Sequence, residues 1–258
     1  MIGVFDSGLG GLTVLSALRA RLPREDFVYF ADTANLPYGE KAESFIQMRS
    51  IAIAWHLQYT FAAKAIVIAC NTATAMAAEA VRRAVDCPVI ALEPAVKPAA
   101  ALSKTGVIGV LATTRTLGSL RFQKLVEAHA HRAQVIAQPC PGLAEAIERA
   151  DEATVDCLID EYVRPLIHYR ADIVVLGCTH YPWIKEKIAA RLPGVKLIDT
   201  GEAIARQTER RLKGEDLLEE DDRTGGLRIG TSGDPQEAAA AIFRLTGKVL
   251  NVENWPIQ

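Results

Sequence analysis

Slid against itself by about half its length, this 258-residue chain repeats itself. A repeat of that period constrains a fold more than any single motif, because it sets the number and arrangement of the structural units. Ile2-Gly3-Val4 recurs as Ile108-Gly109-Val110, and Val28-Tyr29-Phe30 is matched by Val135-Ile136-Ala137. Ile66-Val67-Ile68-Ala69-Cys70 returns as Val174-Val175-Leu176-Gly177-Cys178, and Ile90-Ala91-Leu92-Glu93 as Leu197-Ile198-Asp199. Each pairing alone is an ordinary apolar trio. Four in order at nearly one offset predict two similar α/β domains.

The local pattern agrees. Short β-branched runs alternate with segments of helical period, as βα units of a parallel sheet require. Strands are predicted at 2–5, 27–30, 65–69, 89–92, 106–111, 133–137, 173–176, 196–198 and 227–230, and helices at 11–21, 41–61, 72–84, 117–128, 142–150, 154–169, 182–191 and 235–246. Runs such as Ala65-Ile66-Val67-Ile68-Ala69 are apolar at every position, as in a strand covered by helices on both faces. The predicted fold is therefore α/β, with two similar domains, each a parallel sheet flanked by helices, related by pseudo-twofold symmetry around a shared cleft. The chain after Ala205 has no counterpart in the repeat and is expected to return to the first domain. That gives residues 1–94 plus 206–258, and 95–205. The charged stretch Lys213 to Arg223 reads as a solvated loop.

Composition excludes several functions. Half the residues are apolar, 23% are charged and the net charge is −2, with Lys and Arg scattered. Neither nucleic acid nor an anionic membrane is an expected partner. No signal-peptide pattern or membrane-length apolar run is present. Five cysteines without a C-x-x-C pair argue against a disulfide framework and a zinc cluster, so a reducing cytoplasm is expected.

In open α/β sheets ligands bind beyond the carboxyl ends of the strands. There the chain offers Asp6-Ser7-Gly8, Asp32-Thr33, Cys70-Asn71-Thr72, Thr113-Thr114 and Cys178-Thr179-His180. A lone cysteine after a strand reads as a small buried apolar residue. Two at equivalent places in a repeat read differently, because facing domains bring one thiol to each side of a ligand. That arrangement suits removal and return of a proton at a stereocentre, which needs a base on one face and an acid on the other. Each cysteine precedes a predicted helix, whose amides and dipole are expected to favour the thiolate. Cys87, Cys140 and Cys157 lack this context and read as structural.

Gly8-Leu9-Gly10-Gly11 offers backbone amides to a carboxylate or phosphate, or is simply a tight turn before a helix. A dinucleotide fingerprint, with Asp32 as the ribose acid, fails where Thr13 stands for the third glycine. His180 could ligate a metal with Cys178, but two donors without a second cluster favour proton handling or substrate binding. Thr113 and Thr116 either bind a carboxylate or cap a helix.

These segments resemble the bacterial glutamate racemases: Phe5-Asp6-Ser7-Gly8-Leu9-Gly10-Gly11, Asp32-Thr33 with Pro37-Tyr38-Gly39, Ala69-Cys70-Asn71-Thr72-Ala73, and Gly177-Cys178-Thr179-His180-Tyr181-Pro182. The resemblance runs from Phe5 to about Asp199. It implies interconversion of L- and D-glutamate with no cofactor and no metal, supplying D-glutamate for peptidoglycan, and commonly a homodimer. It further implies that Cys70 acts on D-glutamate and Cys178 on L-glutamate, that Asp6 and His180 assist the respective thiols, and that Glu148 positions the histidine. Ser7, Tyr38, Gly39, Asn71, Thr72, Thr113, Thr116 and Thr179, together with Asp6 and His180, look like the substrate-binding set. A carboxylate beside Cys70 disfavours its thiolate, so Asp6 makes sense as a proton relay or orienter rather than as an activator by charge. The sequence departs mildly at Ala31 and at Ala34-Asn35-Leu36. Because it starts almost at the first strand, activation by a peptidoglycan precursor is not expected.

Overall fold

The computed structural model describes residues 1–129 and 131–257. Among the described residues there are ten strands: β1 (Ile2–Asp6), β2 (Phe27–Ala31), β3 (Ala65–Ile68), β4 (Val89–Ala91), β5 (Val107–Ala112), β6 (Gln134–Pro139), β7 (Ile173–Leu176), β8 (Lys196–Ile198), β9 (Leu227–Thr231) and β10 (Glu253–Asn254). They make two sheets, ordered β10-β9-β2-β1-β3-β4 and β6-β5-β7-β8, with every pairing parallel. The order β2-β1-β3-β4 in the first sheet is reproduced by β6-β5-β7-β8 in the second, so the sequence repeat is a repeat of topology. β9 and β10 extend the first sheet beyond the repeated unit.

Successive strand residues point to opposite faces, and both faces of the first sheet are dry. Ile2, Val4, Tyr29 and Val67 pack on one side, while Phe5, Phe30, Ile66 and Ile68 pack on the other. Each fully buried aliphatic side chain contributes roughly 1.5–3 kcal/mol relative to exposure. The repeated Ile-Gly-Val has a steric reason. A Cβ at Gly3 would stand 2.9 Å from Ile66 Cδ1 and 3.1 Å from Leu57 Cβ, and one at Gly109 would stand 2.7 Å from Leu166 Cδ2. Each glycine admits a helix close against its sheet.

Several helices differ from expectation. The predicted helix 41–61 is an α-helix over Glu43–Trp55 that widens into a π turn at His56–Thr60. The predicted helix 154–169 breaks into Glu152–Tyr162 and Arg164–His168, because Pro165 lacks the N–H a continuous helix would use. The segment 182–191 opens as a 3-10 turn, Tyr181–Ile184, before the helix Lys185–Arg191. The predicted helix 117–128 is a short helix Thr114–Leu117 followed by Leu120–His129, so His131 lies outside any helix. Two helices, Val96–Leu102 and Gly201–Gly214, escaped the sequence reading. The second buries Ile204, Ala205, Thr208 and Leu212 among charged neighbours and ties Glu209 to Arg21, 2.6 Å away. The stretch 213–223, read as a solvated loop, is anchored by Arg223 on Asp26 at 2.7 Å and by Glu219 N on Glu25 at 2.8 Å. No helix among the described residues is long and apolar enough to cross a membrane.

Candidate active site

The chemistry-bearing residues stand just past the carboxyl ends of equivalent strands: Asp6 and Ser7 after β1, Thr113 after β5, Cys70 to Thr72 after β3, and Cys178 to His180 after β7. Between the sheets these ends enclose a cavity lined by Ser7, Tyr38, Gly39, Cys70, Asn71, Thr72, Thr113, Cys178, Thr179 and His180, with Leu36, Pro37, Ala144 and Gly177. Its free volume is about 20 Å³, the room of about one water molecule. Asp6, Glu148 and Thr116 do not line it. They stand behind residues that do.

On one side is Cys70, 4% exposed. It caps the helix Asn71–Ala84, its sulfur accepting from Ala73 N at 3.4 Å, and Ser7 Oγ stands 3.6 Å away. The expectation that helix amides lower this thiol's pKa is overturned. Burial, followed by the charge of Asp6, pushes the Cys70 thiol well up, and the Ala73 amide offsets only part of that. Asp6 is itself wholly buried, accepting from Ser7 N at 2.7 Å, Gly11 N at 2.6 Å and Thr179 Oγ1 at 3.1 Å. Burial raises its carboxyl, against the lowering effect of His180 and of its own hydrogen bonds. A carboxyl that holds a proton readily beside a thiol that releases one reluctantly is suited to relaying a proton rather than to stabilising a thiolate.

The other side is built differently. His180 Nδ1 stands 3.8 Å from Cys178 Sγ, and its Nε2 meets Glu148 Oε2 at 2.6 Å. Burial alone would depress the imidazole, but its bonds to Cys178 and Glu148 and the charges there hold it well above the usual histidine range. Glu148 Oε2 also accepts from Leu9 N at 3.0 Å, so an acid from the second half of the chain is seated on the glycine turn of the first. The turn is glycine-rich because those side chains occupy it. A Cβ at Gly8 would stand 2.5 Å from Glu148 Oε2, and one at Gly10 would stand 2.5 Å from His180 Nδ1 and 2.7 Å from Thr179 Oγ1. Gly10→Ala is accordingly expected to displace the imidazole and lower kcat about tenfold while far-ultraviolet circular dichroism stays unchanged. Wild-type turnover in that variant would refute the steric argument.

The remaining residues fall into three groups. Thr72, Thr113 and Thr116 join hydroxyls across the cleft, with Thr72 to Thr113 and Thr113 to Thr116 both at 2.9 Å. Thr113 also caps Thr114–Leu117 through Thr116 N, so capping and lining the cavity coexist. Asn71 is buried with neither amide atom bonded within the protein, and it lines the cavity. Two free hydrogen-bonding atoms in a dry place are what a polar ligand would satisfy.

Asp32 is closed to ligands. Arg49 reaches it at 2.7 and 3.2 Å, Tyr38 Oη donates to it at 2.6 Å, and Asn35 adds a further bond. These bonds outweigh burial and hold its carboxyl below the ordinary range, whereas burial and Asp32 together hold the Tyr38 phenol well above its own. With Asp32 engaged and the Ser7, Leu9 and Gly11 amides bonded to the protein's own carboxylates, neither the ribose acid nor the phosphate turn of a dinucleotide site is open. Arg49 was missed from the sequence, although its position between Ile46 and Ile53 on the buried face of a helix marks it. Among the described residues no cluster of three or more His, Cys, Asp or Glu could hold a metal, and Cys178 and His180 remain a pair.

Comparison with known proteins bears on this geometry. The family model described as Asp/Glu/Hydantoin racemase matches residues 12–208. The glutamate racemase of Stutzerimonas stutzeri is 45% identical over 259 residues, covering 99% of this chain and 97% of that protein. Among solved structures, Escherichia coli glutamate racemase in complex with L-glutamate and the activator UDP-MurNAc-Ala superposes with a TM-score of 0.85 at 32% identity, covering 100% of this chain and 99% of that one. Glutamate racemase from Francisella tularensis in complex with D-glutamate superposes with a TM-score of 0.86 at 31% identity, covering 100% and 97%.

Proposed function

This chain belongs to the Asp/Glu/hydantoin racemase family and, within it, to the glutamate racemases, and from that membership we propose that it inverts glutamate by passing a proton between two thiols. The observation that carries the reading is that Cys70 and Cys178 line one small cavity from equivalent strand ends, each with its own proton partner. In the L-to-D direction Cys178, as thiolate, takes the α-proton, leaving the bonding pair on the α-carbon. Cys70, as thiol, delivers a proton to the opposite face. No electrons leave the system, and the two sulfurs have exchanged protonation states. To return to the starting state Cys178 must lose a proton and Cys70 gain one: His180, held by Glu148, gives its ring proton to solvent and takes that of the Cys178 thiol, and Asp6 takes a proton from solvent and passes it to the Cys70 thiolate. In the reverse direction Cys70 acts on D-glutamate. Ser7, Tyr38, Gly39, Asn71, Thr72, Thr113 and Thr179 form the surrounding shell that receives the substrate's carboxylates and ammonium, with Thr116 behind them orienting Thr113.

The same reading extends to the setting. The product D-glutamate feeds peptidoglycan synthesis in the cytoplasm, and the working form is a homodimer. The chain divides into 1–94 with 206–258, and 95–205. The helix Gly201–Gly214, which packs along Leu12–Arg21, spans the later boundary.

The experiment is proton exchange. Incubated with L-glutamate in deuterated water and no additive, the pure protein is expected to place deuterium at the α-carbon as the D-enantiomer accumulates. Exchange with aspartate and none with glutamate would sink the substrate assignment, and exchange with neither would sink the reaction.

A further inference from the structure

The network around Asp32 reaches further than the cavity. Tyr38 and Gly39 form part of the cavity wall, and Gly39 lies against Thr113 of the opposite half, where a Cβ would stand 3.2 Å from Thr113 Cβ. This rim belongs to a short 3-10 turn, Tyr38–Glu40, with little regular structure to hold it. Its anchor is the Tyr38 hydroxyl, which gives its single proton to Asp32 at 2.6 Å. Asp32 in turn is gripped by the Arg49 guanidinium through two nitrogens, at 2.7 and 3.2 Å. The third guanidinium nitrogen, Nη1, donates to the Ile257 carbonyl at 2.7 Å.

That carbonyl closes a segment pinned to the far edge of the first sheet. β10 pairs with β9, Trp255 N donates to Thr231 O at 2.9 Å, and the Trp255 ring covers Gly230, where any Cβ would overlap it. The ring also stacks on Phe30 and lies against Phe61. Arg49 is thus the polar junction between two pieces of chain, the substrate rim and the segment 253–257, whose Tyr38 and Trp255 also share one apolar core.

We infer that Arg49 is a positioning residue for substrate binding, holding the Tyr38–Gly39 rim through Asp32 and referencing it to the segment 253–257. The inference rests on the racemase reading above. Tyr38 has its only proton committed to Asp32 and Gly39 has no side chain, so neither takes part in the proton transfers, and loosening the rim weakens binding without slowing them. Lysine at position 49 keeps the charge and loses the fork, since an ammonium cannot span both carboxylate oxygens and the carbonyl in that geometry.

The test is steady-state kinetics with both glutamate enantiomers on the wild-type protein, Arg49→Lys, a chain stopped after Pro256, and the combination. For Arg49→Lys, KM is expected to rise about tenfold for both enantiomers with kcat within about threefold of wild type. The shortened chain is expected to raise KM in the same direction, and the combination to add little to Arg49→Lys, because both changes cut one linkage. A lower melting temperature with unchanged KM would show Arg49 to be merely structural and overturn the proposal. A fall in kcat at constant KM would place it in the chemistry instead, and additive KM effects would detach the segment from the rim. Should Arg49→Lys fail to fold, the shortened chain alone decides, since an unchanged KM there refutes the linkage. If the wild-type protein racemises another amino acid, the substrate assignment fails by itself and the same comparison is read on that amino acid.

Discussion

Alanine at either Cys70 or Cys178 is expected to lower racemisation by about 10³-fold or more, within the range one acid/base group supplies, because inversion needs a proton taken on one face and given on the other. The two variants should fail differently. With Cys178 gone, Cys70 still faces D-glutamate, so slow deuterium exchange with retention is expected for the D-enantiomer only. With Cys70 gone, the residual exchange belongs to L-glutamate. Nuclear magnetic resonance of the α-proton in deuterated water reads both. Each sulfur is nearly buried, 4% and 7% exposed, and its loss leaves only a small void, so thermal unfolding should change little. Full turnover by either variant would refute a two-base mechanism, and equal residual exchange of both enantiomers would refute the assignment of faces.

Glu148→Gln is expected to cost about 10²-fold in kcat and to change the pH profile. The glutamine oxygen in the place of Oε2 can still accept from both the Leu9 amide and His180 Nε2, but it carries no negative charge, so the partner that favours the imidazolium is weakened. The wild-type imidazole holds its proton well above the ordinary histidine range. In the variant that proton is lost at lower pH, so the alkaline limb of the kcat profile moves toward acid. Stability follows the same sign. A histidine whose pKa is raised by folding stabilises the fold fully below its unfolded value of about 6.5, and that contribution disappears as pH rises through the folded value. The gap in melting temperature between wild type and Glu148→Gln should therefore be widest in mild acid and close as the solution is made alkaline. A gap independent of pH would mean that Glu148 supports His180 by shape alone.

Much of this site is legible in the sequence, because its parts lie at strand ends and strands announce themselves as apolar runs. The repeat carried the two cysteines to equivalent positions, and β3 and β7 deliver them there. What could not be read was anything decided by contacts across the cleft. Gly8 and Gly10 look like turn glycines in the sequence, and their real constraint is Glu148 and His180 arriving from well over a hundred residues away. The pKa of Cys70 was misjudged for a related reason. The helix after it was visible, but the depth of its burial was not, and burial outweighs one amide at 3.4 Å. Arg49 was passed over because a charged residue in an amphipathic helix is ordinarily on the wet side. The helix Gly201–Gly214 was missed although its apolar spacing is helical, because its charged residues outnumber its apolar ones.

The contact between Leu9 and Glu148 has a consequence for the working cycle. A space of about 20 Å³ has room for a water molecule and not for an amino acid, so any movement that enlarges it acts on the contacts that cross it. The bonds of Leu9 to Glu148 and of Thr179 to Asp6 both cross, and each holds a partner of one thiol. Widening the cleft is therefore expected to loosen both thiol partners at once, and narrowing it to restore them together, like a microwave oven that runs only with its door shut.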